Sequence, residues 1–522
     1  MNTDQPAPPD RREGALARWE LMTTVLSSGA VVMLIEILGT RIVGPVFGVS
    51  LFVWAALLSV TLCALAIGYS VGGVLIDRSP RAVQLGWALL VGGVALGVVP
   101  LVAPAVLRAT SGLGPRVGPL LAAFFLFAPA LAVLGTIGPI AVRLATTDLA
   151  STGKRVGNIY AVSTAGSLLG TLATSFWLIP AFDTEVIVAA GAAVLIGLGA
   201  LILARRRRLW AGAAMAVPFV SALSAKPALP ANIHLLEREH SPYGLVEVLE
   251  DEARGIRYLR ADHSIIGAHW LSDHSAAFAF LHVLEVLPIL RPGAKDLLVI
   301  GLGTGALPTA LAKSGIRSDV VEIDPAVARF AEKYFWFTPT GKTYVEDART
   351  FIRNADSQYD LIVHDTFTGG ATPDHLLSVE VLHELRRLLR PDGVLALNMV
   401  GFQRGPHAAA TWAVERTLRA EFPLVRAFRD SPLDHRADQT NNIVFFASDA
   451  SLDFEVNPLG QFNDTLCAKI LPPLKNRELV TDVPPGDIIT DSHNPLTRLQ
   501  LPVAEEHYRA MQQLLPFDVW LR

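Results

Sequence analysis

Up to Ala204 the chain repeats one pattern, a long apolar run followed by a short polar break. The runs lie at about Leu21–Gly39, Leu51–Ile76, Val83–Leu107, Leu120–Val142, Ile159–Pro180 and Val186–Ala204. Each reaches about 18 residues or more, the length a helix needs to cross the hydrocarbon of a bilayer. A seventh run, Leu209–Ala225, is about 17 residues long, contains Pro218 and is marginal by that measure. Further on the period changes. Leu245–Leu249 and Ile256–Leu259 alternate around Gly255 and predict a β-hairpin. Short apolar runs then alternate with amphipathic stretches. They predict strands at Asp296–Ile300, Val320–Asp324, Tyr359–Asp365, Val394–Asn398 and Asn442–Ala447, with helices at Ala306–Ser314, Leu376–Leu389 and Thr411–Phe422. The expected architecture is an α-helical membrane bundle of six to seven spans, followed by an α/β Rossmann-like domain with a small N-terminal β-hairpin subdomain.

Domain boundaries follow from the same pattern. Residues 1–19 read as a polar, proline-bearing disordered tail and 20–225 as the multi-spanning membrane domain. The stretch 226–240, with Pro227 and Pro230, reads as a linker. Residues 241–290 make the small β subdomain, 291–450 the nucleotide-binding catalytic domain, and 451–522 an irregular C-terminal extension in which Thr490–Pro495 caps the domain. Gly68-x-x-x-Gly72, Gly93-x-x-x-Gly97 and Gly166-x-x-x-Gly170 either seat neighbouring helices closely or are ordinary glycines of apolar helices.

Composition sharpens the division. Apolar residues make up 51% of the chain and charged ones 18%, too oily for an ordinary soluble protein. Charge is sparse before Arg205 and ordinary after it. Arg11, Arg12 and Arg18 precede the first run, Arg78 and Arg81 follow the second, Arg143, Lys154 and Arg155 the fourth, and Arg205–Arg208 the sixth. The opposite breaks hold only Arg41, Arg108 and Arg116. Basic residues collect on the cytoplasmic side, which puts the N-terminus there and the chain in the cell's inner membrane. If Leu209–Ala225 also crosses, the remainder lies outside; if it rests at the interface, the remainder is cytoplasmic, which the chemistry favours. The lipid bilayer is thus an expected partner, and a net charge of −4 argues against nucleic acid. Cys63 and Cys467 are far apart, and His263, His269 and His274 are irregularly spaced, so neither a disulfide framework nor a metal site is expected.

Candidate chemistry concentrates between Asp296 and Asp365. A strand breaks into Gly301-Leu302-Gly303-Thr304-Gly305, a helix follows, and the next strand ends in Val321-Glu322-Ile323-Asp324. A glycine turn opening a helix, with an acid about twenty residues on, is the arrangement that holds a nucleotide: backbone close to the ligand, carboxylate on the ribose. Asp347 and Asp365 end the next two strands, so their carboxylates should converge on one crevice with Glu322.

These residues resemble the spermidine synthase (polyamine aminopropyltransferase) family. The resemblance rests on Glu322 in VEID, Asp347 in EDA, Asp365 opening an Asp-Thr-Phe-Thr loop, and Ser241-Pro242-Tyr243-Gly244 before the hairpin, and it covers roughly Ser241 to Phe446. The apolar half is similar to the membrane part of bacterial proteins that fuse several spans to such a domain. The resemblance implies a methyltransferase-type fold. It implies no permanently bound cofactor, but decarboxylated S-adenosylmethionine (or S-adenosylmethionine) as co-substrate and a small-molecule amine as acceptor; a homodimer stays open. It assigns Asp365 as catalytic, and Gly301, Gly303, Gly305, Glu322, Asp347 and Ala348 to the donor. Tyr243, Asp262, Thr304, Thr368 and Asp374 fall on the substrate side, with the Tyr243 hairpin toward the acceptor. Two departures stand out, since the family carries aspartates where this chain has Thr304 and Thr368. Asp374 either restores one charge or serves as a helix N-cap. Three activities stay open: aminopropyl transfer, which the Asp365 match favours; methyl transfer; and nucleotide sensing attached to a transporter.

Overall fold

The computed structural model describes residues 18–48, 51–146, 152–206, 229–262, 264–367, 371–430, 439–460, 474–479 and 482–520. Two compact units divide the chain, one reaching to Ala228 and one running from Leu229 to Trp520. The N-terminal tail up to residue 17, the run Leu209–Ala225, His263 and Thr368 lie outside the described residues.

The first unit is all helix: α1 (Arg18–Phe47), α2 (Leu51–Arg78), α3 (Val83–Thr110), α4 (Gly114–Gly135), α5 (Ile137–Ala145), α6 (Thr152–Ala173) and α7 (Thr184–Ala204). The α4–α5 break falls at Thr136, where Pro139 offers no N–H to the Gly135 carbonyl. Helix α6 continues through a π-helical stretch, Thr174–Leu178. Among the described residues six helical rods are long and apolar enough to cross a membrane. Their glycines mark close approach. A Cβ on Gly166 would overlap the Leu26 carbonyl oxygen, on Gly170 that of Ala30, and on Gly68 that of Ala132; on Gly93 it would lie 2.7 Å from the Ile196 side chain. The open reading of the small-residue spacings therefore resolves to tight seams between α1 and α6, α2 and α4, and α3 and α7. Two ion pairs join helix ends, Arg143 with Asp77 at 3.6 Å and Arg205 with Glu20 at 2.7 Å.

The second unit carries two sheets. The small one is a four-stranded antiparallel meander rather than a hairpin: β1 (Ile233–Ser241), β2 (Gly244–Asp251), β3 (Ile256–Ala261) and β4 (Ser264–Trp270). Strand β1 occupies most of the stretch expected as linker. Its Glu237-Arg238-Glu239-His240 run reads as polar connector, yet Glu237 meets Lys333 and Tyr334, Arg238 meets Glu247, and Glu239 meets Arg329. A register shift between Leu235 and Glu237 further spoils the alternation.

The large sheet has seven strands in the order β10-β11-β9-β8-β5-β6-β7, namely β5 (Asp296–Ile300), β6 (Arg317–Glu322), β7 (Thr343–Val345), β8 (Tyr359–His364), β9 (Leu389–Phe402), β10 (Leu424–Arg429) and β11 (Thr440–Ser448). Strands β5 to β9 run parallel, and β11 and β10 are antiparallel additions at one side. Alternate residues face opposite cores: Leu297, Val299, Leu361 and Val363 on one side, Leu298, Ile300 and Ile362 on the other. That two-sided burial is why these strands read as continuous apolar runs. Helices α8 (Ala306–Ala312), α9 (Pro325–Tyr334), α10 (Ala348–Asn354), α11 (Val379–Leu388) and α12 (Ala409–Glu421) connect them. Helix α11 starts three residues later than expected, because the Ser378 hydroxyl accepts from Val381 N–H and caps it there.

The C-terminal extension is more ordered than its composition suggests. Helix α13 (Leu501–Leu514) buries Val503 against Val400, Phe402 and Ala408. Trp520 then reaches the small sheet, under Arg260 and in one cluster with Leu249 and Tyr258.

Candidate active site

The parallel strands deliver their C-terminal ends to one edge. After β5, Gly301, Gly303 and Gly305 all take positive φ (88°, 55° and 72°). A Cβ on Gly301 would overlap the Asp365 carbonyl oxygen, and on Gly305 it would lie about 2.5 Å from the Phe337 ring. Only glycine permits both the turn and this closeness. The loop therefore lies directly against the start of the segment that carries Asp365.

Glu322, at the end of β6, is buried. One carboxylate oxygen accepts the Leu302 N–H at 3.0 Å and the other the Asp324 N–H at 2.9 Å. Burial pushes its carboxyl above the usual carboxylate range, against the pull of these backbone donors. It thus fixes the glycine loop from within, and each oxygen keeps a further lone pair for a ligand. Asp347 caps α10, accepting from Thr350 N–H at 2.9 Å, which leaves the N–H of Ala348 at the first helical position.

Asp365 follows β8. One of its oxygens accepts a 2.9 Å hydrogen bond from the side-chain amide of Asn398 on β9. Burial pushes the carboxyl up to about 6, with the amide opposing. A carboxyl poised near neutrality at the mouth of a glycine loop has the properties of a general base. Next to it, His364 is fully buried and donates through Nε2 to the Leu376 carbonyl at 3.0 Å, and burial lowers its ring to about 4, so it stays neutral.

The substrate-side expectations fare differently. Tyr243 is 54% exposed, and its turn is fixed by Ser241, whose hydroxyl donates to Asp324 at 2.6 Å. That contact lies at the end of β6, two residues past Glu322. Asp262, at φ 47°, accepts the Leu245 N–H at 2.7 Å and closes the β2–β3 end of the small sheet. Thr304 is buried, its methyl packed over Gly267 and its hydroxyl 3.0 Å from His269 Nε2. His269 donates through Nδ1 to the His274 carbonyl, and burial lowers its ring to about 4. The neutral ring therefore accepts the Thr304 proton at Nε2. Asp374 caps no α-helix: it opens the turn Asp374–Leu376, accepts from His375 N–H at 2.8 Å, and takes the Thr497 hydroxyl at 2.8 Å. The expected capping segment does hold this loop, since Asn494 donates to the Asp374 and Leu377 carbonyls and Asp491 accepts from Ser378 and Arg349.

Sequence reasoning missed Asn398 and His269. A signal existed for the first, a carboxamide ending an otherwise apolar strand; the irregular histidine spacing gave none for the second.

Glycine turn, strand-end acids and a raised carboxyl together make a candidate site for nucleotide-dependent group transfer. Residues 282–403 match the spermine/spermidine synthase domain. Over 158 residues the chain is 39% identical to a polyamine aminopropyltransferase of Vibrio vulnificus, covering 29% of this chain and 52% of that protein. Over 236 residues it is 34% identical to an N-terminal histidine N-methyltransferase of Emericella nidulans, covering 41% of this chain and 42% of that protein. The chain thus spans about half the length of these curated relatives. The solved spermidine synthase of Thermotoga maritima aligns over 46% of this chain and 79% of its own, at 20% identity and a TM-score of 0.35. The matched domain lies within the second unit, and both curated relatives are transferases by name.

Proposed function

We propose that the second unit is an aminopropyltransferase, moving the propylamine group of decarboxylated S-adenosylmethionine to an amine acceptor. The observation that carries this reading is Asp365: a strand-end carboxyl, raised to about 6, against the glycine loop. A sulfonium is already a good leaving group, so the protein's work is alignment and proton removal. A free amine has a pKa of about 10.4 and arrives protonated at neutral pH. Asp365 takes that proton. The freed nitrogen lone pair forms the N–C bond as the C–S bond breaks, and sulfur leaves with the bonding pair as a neutral thioether. Glu322 receives the ribose hydroxyls while holding the loop, and Asp347 with the Ala348 N–H receives the adenine edge.

A second reading, methyl transfer from S-adenosylmethionine, is favoured by one observation. The Thr304 position is neutral and tied to neutral His269, so nothing there repels a donor that keeps its carboxylate. The similarity to a methyltransferase is consistent with it.

In this proposal the six apolar rods anchor the chain in the inner membrane, with the basic helix ends and the catalytic unit on the cytoplasmic side. Purification in detergent, incubation with each donor and a panel of amines, and mass analysis of products test the chemistry. A propylamine adduct from the decarboxylated donor is the expected result. Methylated product alone, from S-adenosylmethionine, would replace the first reading by the second.

A further inference from the structure

The side chains behind Asp365 form a chain across the large sheet. Asn398 on β9 is completely buried within the otherwise apolar stretch from Val394 to Phe402. Its amide nitrogen donates to Asp365 at 2.9 Å and to the side-chain oxygen of Asn442 on β11 at 3.3 Å. The Asn442 amide in turn donates to Asp430, just past β10, at 3.3 Å. Both N–H groups of Asn398 are thereby committed, while its own carbonyl oxygen is buried without a partner. A buried carboxamide left half-satisfied is unfavourable in a core. An apolar residue would fit the sheet better.

We propose that Asn398 is a positioning residue for the transfer reaction: held by Asn442, its carboxamide fixes the Asp365 carboxylate through one neutral hydrogen bond and leaves the second carboxylate oxygen to receive the acceptor's proton. This rests on the reading of Asp365 as base. A cationic partner in place of Asn398 would hold Asp365 ionised and weaken it as a base, whereas an apolar one would leave it protonated. A single neutral donor keeps it between these states. The neighbouring titratable groups leave this balance alone. His364 on the same strand is neutral and turned to the Leu376 carbonyl; Glu322 on β6 is engaged by Leu302 and Asp324; Asp430 is in line with Asp365 only through two amides. In the step itself the proton leaves the acceptor nitrogen for Asp365, the N–C bond forms, and the C–S electron pair stays on sulfur.

The test uses the full-length protein in detergent and three variants, Asn398→Leu, Asn398→Asp and Asn442→Leu. Calorimetry with methylthioadenosine reports the donor site, and kcat/KM against pH reports Asp365. Asn398→Leu should leave nucleotide affinity within about twofold, move the acid limb of the profile up by about one unit, and lower kcat at least tenfold at pH 7. Asn398→Asp should move the limb up further, because two carboxylates within hydrogen-bonding distance share one proton. Asn442→Leu, one residue removed, should shift it in the same direction by less, and keeps the question answerable if the Asn398 variants do not fold. A reduced rate with an unmoved acid limb, or a parallel loss of nucleotide binding, would overturn the proposal. If the wild-type protein binds methylthioadenosine but transfers no group to any amine, the reading of Asp365 as base fails first and the proposal with it.

Discussion

Replacing Asp365 by Asn separates what the site gains from what the fold loses. The wild-type carboxyl is raised from an ordinary value near 4 to about 6, chiefly by burial. Native protein therefore holds this proton to higher pH than unfolded protein does. The resulting destabilisation is absent below about pH 4, grows between 4 and 6, and is complete above 6. Two units correspond to roughly 3 kcal/mol, which partial access to water reduces to about 1–3 kcal/mol. Asparagine is a neutral isostere that keeps the Asn398 contact through its own carbonyl. Asp365→Asn should thus melt about 2–6 °C higher than wild type at pH 8 and at nearly the same temperature at about pH 3.5. Its turnover should fall on the order of 10²-fold or more, as loss of a general base does, with nucleotide affinity retained. The assay is paired: melting curves in detergent at several pH values and product formation at pH 7.5. A stability difference independent of pH, or no gain at pH 8, would refute the account of Asp365 as a buried carboxylate held out of its preferred state.

Four other outcomes can be measured. Glu322→Gln leaves only one carboxamide oxygen to serve both the Leu302 and Asp324 N–H groups; nucleotide affinity measured by calorimetry should drop by about 1.5–3 kcal/mol, and unchanged affinity would remove Glu322 from the site. Asp491→Ala loosens the loop that follows Asp365 by releasing Ser378 and Arg349; acceptor KM should rise several-fold with donor affinity unchanged, and equal loss of both would assign the residue to general stability. In the first unit, Gly166→Val forces a side chain into the Leu26 carbonyl oxygen and should cost about 1–3 kcal/mol, read as a lower melting temperature in detergent, whereas Gly73→Val, with open space around it, should not. Reporter fusions after Arg81, Arg155 and Arg208 should all report cytoplasm, and a periplasmic signal after Lys226 would move the catalytic unit to the other side.

What the sequence determined by itself is local or periodic. Six apolar runs are long enough to be read without any partner, and the glycine loop, Glu322 and Asp365 are legible because each sits at the end of its own strand, where the change from apolar to polar marks the sheet's edge. Even Gly166 and Gly170 announce a close neighbour by spacing alone, although only the fold names Leu26 and Ala30 as what they meet. The tertiary structure decided everything that depends on a distant partner. Strand β1 looks like linker because the groups that pair its charges, Glu247, Arg329 and Lys333, lie elsewhere in the chain. The Ser241–Asp324 hydrogen bond, across 83 residues, ties the turn that carries Tyr243 to the end of β6. Thr304 is fixed by His269 on another sheet, and the proton affinity of Asp365 is set by burial and by an amide 33 residues further along the chain. Hydrophobic period reports which positions leave water; it carries no information about which polar group will meet a buried charge, and in this site that pairing sets the chemistry.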